Sequence, residues 1–143
     1  MKRSKIILAF IFSLIGLGIG YVLTNSIQFG MCKVDELVTE ASCINSFERV
    51  GDPLFYGMAA LAIVFLVLLF RPSAVGAWKK FAKWYIPIVT LIFIFYPNPG
   101  SGDFFSPYPE QIFQWLSTLY VVVSLIIIFV AKLCRPDPLK VIK

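Results

Sequence analysis

Residues 52–72 read DPLFYGMAALAIVFLVLLFRP, and this stretch decides the fold of the chain. It carries no charge between Asp52 and Arg71. At about 1.5 Å per residue, a helix over residues 53–70 crosses most of a hydrocarbon core about 30 Å thick. Asp52 is a suitable N-cap and Pro53 suits a first helical turn, so we expect the helix to begin there. Arg71 and Pro72 predict its end, on the cytoplasmic side of a membrane.

The composition supports a membrane protein. The chain is 59% hydrophobic and only 15% charged, and its mean hydropathy is +0.83. These values exceed what a soluble domain usually carries. The net charge of +5 does not predict a nucleic-acid partner, because the basic residues gather at the ends of apolar runs. There they face lipid headgroups.

Charge placement predicts the topology. Apolar runs predict transmembrane helices at about residues 6–24, 53–70, 82–96 and 111–133. Eleven of the 13 Lys and Arg residues lie before the first run, between the second and third, or after the fourth. The other two connections hold only Lys33 and Arg49. Because cytoplasmic loops retain Lys and Arg, we expect an all-α, multi-pass protein of the cell (cytoplasmic) membrane with four transmembrane helices and both termini cytoplasmic.

The chain is expected to form a single membrane domain over residues 1–143. The outer loop 25–52 should hold a short amphipathic helix, since Val34, Leu37, Val38 and Ala41 recur at helical spacing. The outer loop 97–110 begins with two prolines and two glycines in six residues, a composition that excludes a helix. The first run also fits a secretory signal peptide, but its apolar stretch is longer than a signal needs, which favours a retained helix.

Aromatic and basic residues mark the expected membrane interface. After Ser73, aromatic side chains recur at helical spacing with lysines on the other face, which predicts an interfacial helical turn that leads into the third span. That span is short, so the turn can also continue it as one bent or tilted helix. The residues expected at the interface are Trp78, Lys79, Lys80, Lys83, Trp84 and Trp115.

The cysteines predict one disulfide. Cys32 and Cys43 fall in the same outer loop, whereas Cys134 falls at the cytoplasmic end. A bridge between the first two would persist in an oxidising compartment and would stabilise the loop by about 3 kcal/mol in the chain-entropy model. The topology is similar to that of quinone-linked disulfide-forming membrane enzymes, but no Cys-x-x-Cys pair occurs. The loop also resembles the first extracellular loop of claudin-like proteins, without the tryptophan motif found there.

Small residues predict where the helices pack. Gly16 and Gly20 form a Gly-x-x-x-Gly pair, and the second run carries Gly57 and Ala60. Small faces let transmembrane helices approach closely. Packing of the first two spans against each other is one interpretation, and self-association or docking to a larger complex is the other. Interhelical hydrogen bonds are expected from Gln114, Ser117, Thr118 and Ser124.

These residues favour a protein without catalytic activity. The chain has no His, and no Asp, Glu, Lys or Arg occurs over residues 6–31, 53–70, 84–102 or 111–131, where such a group would mark an ion pathway. We therefore expect no catalytic, cofactor or metal site, and a structural, assembly or accessory-subunit role. The alternatives are a small-solute channel or transporter and, second, a membrane thiol-disulfide exchange protein. Expected partners are the bilayer, with anionic headgroups on the cytoplasmic side, and a membrane protein or a second copy.

The stretches Gly51-Asp52-Pro53-Leu54-Phe55-Tyr56-Gly57 and Trp78-Lys79-Lys80-Phe81-Ala82-Lys83-Trp84 resemble small uncharacterised four-span proteins of reduced-genome bacteria. The similarity covers about a quarter of the chain. It implies a bacterial cytoplasmic membrane with an oxidising outer face. It brings no activity and no functional residues to carry over.

Overall fold

The computed structural model describes residues 3–32, 37–95 and 109–133. These residues form four α-helices: α1 (Arg3–Thr24), α2 (Leu37–Phe70), α3 (Val75–Phe95) and α4 (Pro109–Leu133). Three segments, Arg3–Thr24, Cys43–Phe70 and Glu110–Ala131, are long and apolar enough to cross a membrane. The expectation of an all-helical membrane protein is therefore confirmed.

Helix α2 is longer than the sequence predicts. It has 34 residues and runs without interruption through Pro53, so the expected helix start at Asp52 and Pro53 is wrong. The separate amphipathic helix is also wrong, because residues from Leu37 onward are the first turns of α2, and residues 33–36 lie outside the described structure. Proline is tolerated inside transmembrane helices because neighbouring groups satisfy the freed carbonyl. At about 51 Å, α2 exceeds the membrane core.

Helix α3 contains both the predicted interfacial turn and the third span, as the second of the two interpretations expects. A 3₁₀ turn over Pro72–Ala74 leads directly into one helix from Val75 to Phe95, which contains Pro87. The interfacial turn is thus continuous with the expected span 82–96, of which Tyr96 lies outside the described residues. Three exposed lysines in the first half of α3 distinguish it from the three strongly apolar helices.

Helix α4 begins where the sequence predicts. Its first residue is Pro109, and Glu110 lies in the first turn, where a carboxylate complements the helix dipole. It contains the whole expected span 111–133. The outer loop 97–110 falls largely, and Cys134 entirely, outside the described residues.

The first two helices make the closest contact in the described structure. A Cβ atom built on Gly20 would lie 2.7 Å from the backbone nitrogen of Phe55, and one on Gly16 would lie 2.8 Å from Met58. On α2, a Cβ on Gly51 would lie 2.8 Å from the backbone nitrogen of Thr24. Only glycine permits these approaches. The Gly16 and Gly20 face is therefore occupied by packing within the chain.

Helix α2 is central to the bundle. It packs against α1 on one side and α4 on another, while α3 packs mainly against α4. The buried core includes Val64 and Leu68 of α2, Trp78 of α3, and Tyr120 and Ile128 of α4. Aromatic contacts fix the levels of the helices, because Phe81 stacks on Tyr120 and Phe93 meets Phe113 edge to face. Helix α3 therefore runs antiparallel to α4.

A disulfide joins Cys32 to Cys43, with their Cα atoms 6.1 Å apart, so the predicted pairing is confirmed. Cys32 is buried beside Ser26 in the connection after α1, and Cys43 lies on α2. The bridge ties this connection to the helix that follows it. In the chain-entropy model, closing a loop of this length contributes about 3 kcal/mol.

Replacing Gly20 by Ala should destabilise the fold by about 1–3 kcal/mol, because the added methyl group meets the Phe55 backbone, which cannot yield as a side chain would. The measurement is the unfolding free energy in mixed detergent micelles. Gly18→Ala is the matched control, since a Cβ at Gly18 meets nothing within 4 Å. Equal stability of the two variants would contradict the proposed role of the α1–α2 contact.

Candidate functional site

A groove lies between α2, α3 and α4. Its volume is about 660 Å³, within the range of about 300–1,000 Å³ that is usual for ligand sites. Gly57 and Leu61 form part of one wall, Val89 and Phe93 form part of the other, and Leu116 lies on the floor. The lining is mostly apolar. The groove suits a hydrocarbon chain.

The groove exists because α2 and α3 share few contacts. Aromatic residues attach α3 to α4 at two levels, through Tyr85 with Tyr120 and through Phe93 with Phe113. The Tyr85 hydroxyl adds a 2.9 Å hydrogen bond to the Leu116 carbonyl. On the α2 side, a Cβ at Gly57 would lie 3.9 Å from the Phe93 ring, an ordinary van der Waals distance. Helices α2 and α3 therefore approach each other at this level, and the space of the groove is bordered by the other lining residues.

A few polar groups line the groove. Arg49 lies at its outer end, and Ser117 and Tyr120 lie at its inner end. The Ser117 Oγ and Tyr120 hydroxyl atoms are buried, and neither has a hydrogen-bond partner within the described part of the chain. Since both atoms are buried, they do not open onto the groove, and the Tyr120 hydroxyl lies close to Ser124 and Trp78 instead.

The buried hydroxyl groups continue along α4 below the groove. Ser124 is fully buried, and Tyr120 lies close to both Ser124 and Trp78. The geometry of these three groups does not meet hydrogen-bond criteria among the residues described. The sequence predicts interhelical hydrogen bonds from four residues of α4, and Gln114 makes one of them. Ser117 and Ser124 make none in the described structure, and Thr118 is exposed.

A second polar cluster joins α2 to α4 at the end of the bundle where α4 begins. The Tyr56 hydroxyl donates a 2.8 Å hydrogen bond to Glu110. The Gln114 amide donates to the Tyr56 oxygen at 2.9 Å and to Glu110 at 3.3 Å. Nearby, the Thr24 hydroxyl lies 3.2 Å from an Asp52 carboxylate oxygen. These contacts fix the start of α4 level with the middle of α2.

The sequence did not predict this cluster or the groove. Glu110 and Gln114 are four residues apart and therefore share one face of α4, which was the available signal. Their partner Tyr56 carries no such signal. From the sequence, Arg49 is only one of the two basic residues outside the predicted cytoplasmic segments. Its place at the mouth of the groove depends on how α3 stands relative to α2.

The residues predicted for helix packing and for the membrane interface lie in different parts of the structure. Gly16 and Gly20 face α2, Ala60 is buried in the core, and Gly57 faces the groove. Lys79, Lys80, Lys83, Trp84 and Trp115 are exposed. Trp78 is the exception, because it is 6% exposed and its ring contacts Phe65. The prediction that Trp78 inserts into the interface is therefore wrong, since α3 turns it into the core.

No known protein family, curated protein or solved structure matches this chain. Among the residues that the structure describes, the groove combines a cavity of about 660 Å³, a mostly apolar lining and an exposed arginine. We take it as the candidate functional site.

Replacing Tyr56 by Phe should lower the unfolding free energy by about 1 kcal/mol, because it removes the hydroxyl that links Glu110 and Gln114. A double-mutant cycle with Gln114→Leu should give a coupling energy of about 0.6 kcal/mol. Tyr21→Phe is the control, since no hydrogen bond of its hydroxyl is formed within the described residues. Additive effects of the two substitutions would contradict the link.

Proposed function

We propose that α3 is a fourth transmembrane helix and that both termini are cytoplasmic. Contacts between helices support this topology. Tyr56 of α2 meets Glu110 at the start of α4, and Arg71 after α2 lies 4.7 Å from the Phe129 ring near the end of α4. Helices α2 and α4 thus run in the same direction, and the chain between them has to return across the bundle. At about 32 Å, α3 is long enough to do so.

The cell membrane is the proposed location, with α1, α2, α3 and α4 crossing it in turn. The lysines of α3 then lie on the same side as Arg71 and the N-terminus, in agreement with the preference of Lys and Arg for the cytoplasm. The Cys32–Cys43 disulfide lies at the opposite end of the bundle. An oxidising outer compartment would preserve it.

Reporter fusions test this topology. Green fluorescent protein fused after residue 143 should fluoresce, because it would lie in the cytoplasm. Alkaline phosphatase fused at residue 100 should be active, because it would lie in the outer compartment. A three-span protein with its N-terminus inside would place residue 143 outside. A non-fluorescent fusion at residue 143 together with an active phosphatase there would therefore contradict the fourth span.

We propose that the protein is a non-catalytic accessory component of the membrane that holds the hydrocarbon chain of a lipid in the groove. The groove between α2 and α3 is the observation that carries this proposal. Its mostly apolar walls face a space that the described side chains leave open. The exposed Arg49 supplies a polar group at one end of these walls. A bound lipid would also complete the packing between α2 and α3.

Replacing Gly57 by Leu should fill the groove and reduce chain binding roughly fivefold or more, since overpacking costs about 1–3 kcal/mol. The measurement is photo-cross-linking with a lipid that carries a diazirine in its acyl chain, followed by mass spectrometry of the α2 and α3 peptides. Gly18→Leu is the matched control, because position 18 has no neighbour within 4 Å. Undiminished labelling of the groove in Gly57→Leu would overturn the proposal.

A further inference from the structure

Arg49 places a positive charge at the outer mouth of the groove. Arg49 lines the groove and is exposed. Glu48 precedes it and Asp52 follows three residues later, at a spacing that allows an ion pair on a helix. Among the described residues Arg49 forms an ion pair with neither. Asp52 instead lies toward α1, where it meets the Thr24 hydroxyl at 3.2 Å. The guanidinium is therefore available to a ligand.

The length of the groove matches one leaflet of a membrane. On α2 it extends from Arg49 to Leu61, a rise of about 18 Å at 1.5 Å per residue. Half of a typical hydrocarbon core is about 15 Å. A chain that starts at the level of Arg49 would end near the middle of the bilayer, at the level of Ser117 and Tyr120. The groove thus fits the chain of a lipid from the outer leaflet.

We propose that the groove binds a phosphate-bearing lipid of the outer leaflet, with its phosphate on Arg49 and one hydrocarbon chain along the apolar lining of the groove. This inference rests on the proposed function and adds the class of headgroup. A guanidinium presents a planar fork of donors that matches a phosphate group. The apolar walls that continue directly from Arg49 distinguish a lipid from free phosphate, which has no chain to place there.

The acidic residues near the mouth affect which lipid headgroups the groove binds. Glu48 and Glu110 are exposed at the same end of the bundle as Arg49. They would repel a headgroup whose negative charge is not placed directly on the guanidinium. The site should therefore select for a phosphate held in contact with Arg49, and this contact should be lost when the guanidinium is removed.

Photo-cross-linking in an uncharged detergent tests the proposal. The probes are phosphatidylglycerol and diacylglycerol, each with a diazirine in one acyl chain. Wild-type protein should give more groove adducts with phosphatidylglycerol. Arg49→Gln should reduce that yield about fivefold, because the loss of a contact of about 1 kcal/mol lowers binding by this factor. The same variant should leave the diacylglycerol yield unchanged. Arg49→Lys should retain more of the preference than Arg49→Gln. Lys80→Gln, which removes an exposed charge from α3, should change neither yield.

The outcomes separate the two proposals. If both probes label the groove equally in the wild type, or if Arg49→Gln keeps the preference, the headgroup inference fails and chain binding stands. If neither probe labels the groove above the level of exposed α1 residues, chain binding fails as well. An excess of inorganic phosphate should leave the phosphatidylglycerol yield unchanged. Displacement by inorganic phosphate would reveal a site for free phosphate and overturn the assignment to a lipid.

Discussion

The close approach of α1 and α2 is the constraint on which the rest of the structure depends. At Gly20 the two backbones are so near that a Cβ atom would lie 2.7 Å from the Phe55 nitrogen. In a bilayer, lipid tails are as apolar as leucine, so helices associate through van der Waals packing rather than through removal of apolar surface from water. Glycines at positions 16, 20 and 51 allow that packing over a long shared face. Helix α1 therefore covers one side of α2, and α4 packs on another side.

The position of α3 follows from this arrangement. With α1 on one side of α2 and α4 on another, α3 packs mainly on α4. Aromatic rings secure it there, from Phe81 and Tyr120 near the inner end to Phe93 and Phe113 farther out. Because these rings attach α3 to α4, α3 shares few contacts with α2, and the groove lies between α2, α3 and α4. The groove is thus a consequence of which helix pairs are tightly packed.

The polar groups of the bundle differ in how they are satisfied. Tyr56, Glu110 and Gln114 hydrogen-bond to one another at the outer end. Deeper in the bundle, Ser117, Tyr120 and Ser124 share a buried face of α4 without hydrogen-bond partners in the described structure. In a low-dielectric interior an unsatisfied hydroxyl is costly. The outer cluster therefore serves to align α2 with α4, whereas the Tyr120 hydroxyl lies close to Ser124 and Trp78 inside the bundle.

The sequence by itself determined the helical membrane class, the disulfide pair and the glycine face of α1, because each depends on composition or short spacing. Hydropathy alone revealed the apolar helices, and the two cysteines shared one short connection. The sequence reading was wrong at Pro53, where a helix start was expected and α2 continues without interruption. It was also wrong at Trp78, whose ring packs against Phe65. Only the tertiary structure decided the groove, the Tyr56 cluster and the position of Arg49. These features depend on which helices pack together, and in a chain whose spans are apolar on every side, residue patterns do not specify the neighbours of each helix.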